Sequence, residues 1–124
     1  MIDILIIAFE NDSEEIEAKL SPYFRNFTVV NYDQDIPLPR AKVTILDKIS
    51  IYQDIEPSEI ALPNKENAQV IYFPESIDFD FLGELNKSFD IVGVCVADGY
   101  NEVIKMANKF LAAERFKAGA ERVL

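Results

Sequence analysis

The sequence predicts an α/β domain of three layers, with a mostly parallel five-stranded sheet between helices. Two observations carry that prediction. Short, nearly continuous apolar runs alternate with segments of helical apolar spacing. The runs lack the strict in–out alternation of a half-solvated sheet, as expected of strands covered on both faces. A third observation bounds the size. The 124 residues, 49% of them hydrophobic, suffice for one core and are too few for two. Residues 1–124 therefore read as a single domain.

The first strand runs from Ile2 to Ala8 or Phe9. Asp12 or Ser13 caps the helix that follows, and Asp12 with Glu15 has capping-box spacing. Its apolar face is Ile16, Leu20 and Tyr23 or Phe24, and Pro22 ends or kinks it. Phe27 to Tyr32 is the second strand. In the connection 33–40, Pro37 and Pro39 forbid a regular helix or an inner strand. The third strand is Val43 to Leu46, which either extends or turns back as a hairpin through Ile49-Ser50-Ile51-Tyr52. No helix pattern joins the second and third strands. The α/β rhythm is thus irregular between residues 33 and 68, and the third strand is free to lie antiparallel or at an edge.

Pro57-Ser58-Glu59-Ile60 suits one helical turn, with Pro at its first position. Pro63 to Asn67 reads as a turn. Gln69 to Phe73 is the fourth strand, stopped by Pro74. Ser76 or Asp78 caps the next helix, whose stripe is Phe79, Leu82, Leu85 and Phe89, with Gly83 a weak point. Ile91 to Val96 is the fifth strand, and Asp98-Gly99 a turn. Asn101 caps the last helix, with stripe Val103, Met106, Ala107 and Phe110 and a left-handed stop at Gly119. Beyond it, Glu121 to Leu124 reads either as a strand cut from a longer protein or as a strand completed by a second copy.

Composition excludes several chemistries. There are 12 basic and 22 acidic residues, a net charge of −10, no His, no Trp and one Cys. Histidine acid–base catalysis, a His-ligated zinc site and a disulfide scaffold are ruled out. A sequence-independent grip on nucleic acid needs clustered cations and is not expected. The N-terminal apolar run has no positive leader or small-residue cleavage site and carries Asp3. It falls far short of the roughly 20 apolar residues of a membrane helix. A cytoplasmic protein without membrane attachment is the expectation. Cys95, inside Ile91 to Val96, reads as a reduced, buried thiol, because no Lys, Arg or His in that run would lower its pKa.

Charge is uneven along the chain. From Lys105 to Leu124 five cations face two acids, a net of +3, which leaves −13 for the remainder. Either the last helix complements its own dipole and solvates its outer face, or the bipolar surface serves association with a partner or with a second copy.

In open α/β sheets ligands bind beyond the carboxyl ends of the strands. That edge carries Glu10, Asp12, Asp47 and Asp98. Converging carboxylates of this kind are candidate ligands of Mg²⁺, which takes one or two of them plus water. The plainer account is that they cap helices and solvate loops. The four glycines form neither GxGxxG nor a P-loop. Only Asp98-Gly99-Tyr100-Asn101 leads from strand to helix through a glycine, and there Asp98 opposes an anion. The serines have no His base and no GxSxG elbow.

Leu5-Ile6-Ile7-Ala8-Phe9-Glu10-Asn11-Asp12 resembles the opening strand and acidic pair of the receiver domain of bacterial response regulators. Val43-Thr44-Ile45-Leu46-Asp47 resembles its central strand ending in the phosphoacceptor. Phe116-Lys117-Ala118-Gly119-Ala120 resembles the step before its last strand. The first two stretches and the third belong to different alignments. With Asp47 as acceptor, Ala97 and Asp98 stand where the family has Lys; with Lys117 to Ala120 as the step, Val70 to Phe73 becomes the central strand. Phe9 stands in place of the first acid of the pair. The resemblance implies a flavodoxin-like scaffold and a degenerate receiver that presents surfaces without the phosphorylation switch.

Three functions follow as expectations. The first is a non-enzymatic regulatory or signalling module acting through a protein partner, with a homodimer as one arrangement. The second is a small acidic inhibitor of immunity type that blocks a basic enzyme, steered by the net charge. The third is a Mg²⁺-dependent phosphate-handling enzyme built on Glu10, Asp12, Asp47 and Asp98.

Overall fold

A computed structural model describes residues 2–10, 12–33, 35–50, 53–63, 68–96 and 100–123, with residues 117–123 described by backbone alone. Its strands are β1 (Ile2–Ala8), β2 (Phe27–Asn31), β3 (Ala41–Asp47), β4 (Gln69–Phe73) and β5 (Asp90–Val94). Its helices are α1 (Ser13–Leu20), α2 (Phe79–Ser88) and α3 (Asn101–Val123), with a 3-10 turn at Pro57–Glu59. All strand pairs are parallel, in the order β2-β1-β3-β4-β5. This is the doubly wound order of flavodoxin-like folds.

The side-chain period of two sorts each strand between two cores. Ile4, Ile6, Val43, Ile45, Ile71 and Phe73 face α1 and α3, where they meet Ile16, Leu20, Phe24, Val103, Ala107 and Leu111. Leu5, Ile7, Leu46, Val70 and Tyr72 face the other way, onto α2 through Phe81 and Leu85 and onto Ile49, Ile60 and Leu62. Each such Leu or Ile contributes about 1.5–3 kcal/mol on burial. The central strands β1, β3 and β4 are therefore apolar on both faces, as the continuous runs predict. Among the described residues no helix is long and apolar enough to cross a membrane.

The third strand is parallel and central, paired with both β1 and β4, and neither antiparallel nor at an edge. The chain achieves this without a helix. Tyr32 and Leu38, at either end of the 33–40 connection, pack into the α2-side core, so the segment crosses β1 on that face and returns in parallel. In the connection from β3 to β4, Ile49, Ile60 and Leu62 are buried in the same α2-side core.

Helix phases depart from the expected stripes in places. Phe24, not Tyr23, closes the α1 face; Phe24 is buried and Tyr23 exposed. In α2 the inward residues are Phe81 and Leu85, followed by the C-capping Phe89, while Phe79 is 77% exposed. Asp78 caps the helix through Phe81 N–H at 2.8 Å, and this start fixes which side chains turn inward. In α3 the buried set is Val103, Ile104, Ala107 and Leu111, with Met106 and Phe110 half-buried beside them. Gly119 does not stop this helix, which continues to Val123, so residues 121–123 are helical and form no strand. One helical Gly costs about 1 kcal/mol, which the surrounding alanines offset. The parts of the hairpin alternative at Ile51 and Tyr52, the turn at Asn64 to Asn67, and Asp98-Gly99 lie outside the described residues.

Candidate functional site

The carboxyl edge of the sheet gathers the predicted residues around Asp47. Asp47 ends β3, in register with Ala8 of β1 and Phe73 of β4, and is fully buried. The backbone closes around it: Phe9 N–H donates to the Asp47 carbonyl at 3.2 Å, and Lys48 N–H to the Phe73 carbonyl at 2.8 Å. The strand alternation that turns Val43 and Ile45 towards α1 and α3 turns the Asp47 side chain the same way. There Tyr100, at the entry to α3, donates its hydroxyl to Asp47 Oδ2 at 3.5 Å, long for an O–H···O bond. The Tyr100 ring packs on Phe73 with centroids 5.6 Å apart, and Lys19 Nζ lies 5.8 Å from its centre.

The other candidates occupy different surroundings. Glu10 is exposed, and its Oε1 accepts from Gln53 Nε2 at 3.4 Å. Gln53 also donates to the Lys48 carbonyl and accepts from Ser50 N–H, so Glu10 is tied to the segment that leaves β3. Asp12 is the N-cap of α1 and accepts from Glu14 N–H at 3.1 Å, two residues on, where the capping-box spacing points to Glu15. Asp98 and Asn11 lie outside the described residues. The sheet thus brings Glu10 and Asp47 to one edge but turns one carboxylate outward and the other inward. Among the described residues, no group of three or more His, Cys, Asp or Glu is placed to hold a metal ion.

Lys48 has φ 57°, in the left-handed region. A side-chain-bearing residue pays about 1–2 kcal/mol there. The conformation lets Lys48 N–H reach Phe73 while Lys48 Nζ meets Glu75 Oε1 at 3.4 Å. The same edge exposes apolar side chains at Ile77, Phe79 and Val96. Cys95 follows β5, donates its N–H to the Tyr72 carbonyl at 3.0 Å and is buried. Burial first, and the Glu102 charge second, push its thiol up to about 11. The hydroxyl of Tyr72 is also held above its ordinary pKa, chiefly by burial.

Two features escaped the sequence reading. The Tyr100–Asp47 contact joins residues 53 positions apart and becomes visible only once β3 and β5 are known to end on one edge. An acidic hollow beside α2, lined by Asp54 to Glu59, was signalled only by three carboxylates clustered at Pro57. Comparison with models of known protein families, with characterised proteins and with solved structures finds no match to this chain.

Proposed function

We propose that the chain is a non-enzymatic interaction and regulatory module on a receiver-like scaffold that lacks the phosphorylation switch. The observation that carries this reading is Asp47. It holds the place at the end of the central strand where a receiver presents its acceptor, yet its side chain has no solvent exposure and meets the Tyr100 hydroxyl. A phosphoryl donor has to reach a carboxylate oxygen, and this one is closed off. Two further points support the reading. The edge exposes Ile77, Phe79 and Val96, which suit contact with another protein better than chemistry. The single thiol is buried and held protonated at neutral pH, so it supplies no nucleophile.

The test is to incubate the protein with Mg²⁺ and a small-molecule phosphoryl donor, and to follow intact mass and backbone NMR. The expected result is no adduct and no Mg²⁺-dependent shift at Asp47. An adduct that vanishes in Asp47→Asn would overturn the reading in favour of a working switch. In parallel, mild crosslinking in cells should recover a stoichiometric protein partner. Recovery of none would count as heavily against it.

A further inference from the structure

We infer that the free edge of β2 pairs with β2 of a second copy, antiparallel and centred on Val29, joining two five-stranded sheets into one. The order β2-β1-β3-β4-β5 leaves β2 and β5 as the edge strands. An edge strand presents N–H and C=O groups that another strand can bond, and proteins blunt such edges with charges, Pro or bulges. β5 is blunted: it opens on Asp90, carries Gly93 and pairs irregularly with β4 after Val70. β2 has none of these devices. Phe27-Thr28-Val29-Val30-Asn31 carries no charge, no Pro and no Gly, and its register with β1 runs unbroken from Ile4 and Phe27 to Ala8 and Asn31.

Hydrogen bonds at the two ends of β2 show which of its residues turn outward. Ile4 N–H donates to the Asn26 carbonyl at 3.3 Å, and Tyr32 N–H donates to the Ala8 carbonyl at 2.9 Å. In a parallel ladder alternate residues turn both main-chain groups to the same neighbour, so Asn26, Thr28, Val30 and Tyr32 serve β1. Phe27, Val29 and Asn31 turn theirs away from the sheet. A twofold axis at Val29 sets Val29 against its own copy and Phe27 against Asn31, and each of these is a hydrogen-bonded pair. Charge selects this register. The same axis sets Arg25 opposite Asp33 of the second copy, at both ends of the pairing. Both side chains are exposed, and among the described residues neither forms an ion pair within the chain. Asp33 Oδ1 accepts from Asp35 N–H at 2.9 Å, which leaves its other oxygen for the arginine. An axis at Phe27 or at Asn31 would also pair the outward groups but would lose the match of Arg25 with Asp33.

The experiment is sedimentation of the full chain over rising concentration. Two chains of net charge −10 repel at long range, so it is run at about 0.15 M salt, where the screening length is about 8 Å. Asp33→Arg sets Arg25 against a second cation, Arg25→Asp sets Asp33 against a second carboxylate, and the double exchange restores both contacts. Circular dichroism verifies that each variant folds. An exposed pair changes affinity by a few-fold, so either single change should weaken dimerisation about tenfold, and the double exchange should return it to within about threefold of wild type. Asp33→Arg removes one negative charge and adds one positive, taking the net from −10 to −8, so control by net charge alone predicts a tighter dimer instead. Amide exchange supplies a second readout. Thr28 and Val30 should be protected at every concentration, and Phe27, Val29 and Asn31 only as the dimer forms. A chain that stays monomeric throughout would overturn the pairing and leave the reading of Asp47 as it stands. A dimer that tightens in Asp33→Arg, that the double exchange fails to restore, or that protects amides elsewhere would overturn it as well.

Discussion

Asp12 and Asp78 each precede a helix and accept from a first-turn N–H, at 3.1 Å from Glu14 and 2.8 Å from Phe81. Their roles were legible because a capping carboxylate needs only its neighbours in sequence. Asp47 has the same chemistry and a different fate, decided by β1, β4 and Tyr100, none of which is local to it. Sequence could place it at the edge but could not say that it faces inward. Cys95 was legible for the opposite reason: an apolar run on both sides implies burial whatever the topology. Its behaviour gives a prediction with a definite sign. The native thiol ionises near 11 and the unfolded one near its ordinary 9.0. The folded state disfavours the thiolate, so this stabilising contribution is whole below pH 9.0 and is lost as pH rises towards about 11. A disulfide-exchange reagent at pH 8 should therefore react slowly with native protein and rapidly in denaturant. Equal rates would show that the thiol is neither shielded nor shifted.

Among the elements, the strands were the clearest, since five apolar runs needed only period and length to be found. The least legible stretch was 33–68, where, among the described residues, the sheet is covered by non-α-helical chain through Leu38, Ile49, Ile60 and Leu62. No periodicity marks such a cover. Of the expected α2 stripe, Leu85 and Phe89 are buried and Leu82 packs half-buried beside them, while Phe79, next to the Asp78 cap, faces solvent and Phe81 takes the inward place. The contact of β5 with α3 carries a further prediction. A shift in pairing between Val70 and Ile71 skips Val92 and places Gly93 opposite Ile71. A Cβ added at Gly93 would fall on the Met106 thioether and come within 3.5 Å of Ile71 Cγ1. The flexible end of Met106 can move aside, so Gly93→Ala should cost less than about 1 kcal/mol. Gly93→Val, with two more carbons, should cost about 1–3 kcal/mol. Urea unfolding measures both. Combining Gly93→Val with Met106→Ala should destabilise by less than the sum of the single changes. Full additivity would mean that α3 does not pack over Gly93.

At the scale of the molecule, the imbalance of charge bears on stability. Twenty-two acids outnumber twelve cations, and the excess negative charges repel one another on a small surface, which opposes the compact state. Among the described residues, pairs such as Lys42–Asp3, Lys48–Glu75, Lys87–Glu84 and Lys105–Glu102 offset this locally at 3.0–3.7 Å. Their members are largely solvent-exposed, so each contributes about 0–1 kcal/mol and is itself weakened by salt. The repulsion among ten excess charges acts over longer distances and should dominate. Raising monovalent salt from about 0.01 M to about 0.1 M shortens the screening length from about 30 Å to about 10 Å. The fold should gain stability over that interval, with a rise in Tm of about 2–6 °C for a domain of this size. A calorimetric scan at each salt concentration measures the slope. A rising Tm is the signature of an acidic chain whose charge impedes its own folding. A Tm that falls with salt would mean that ion pairing outweighs the repulsion and that the net charge does not set the electrostatics of this fold.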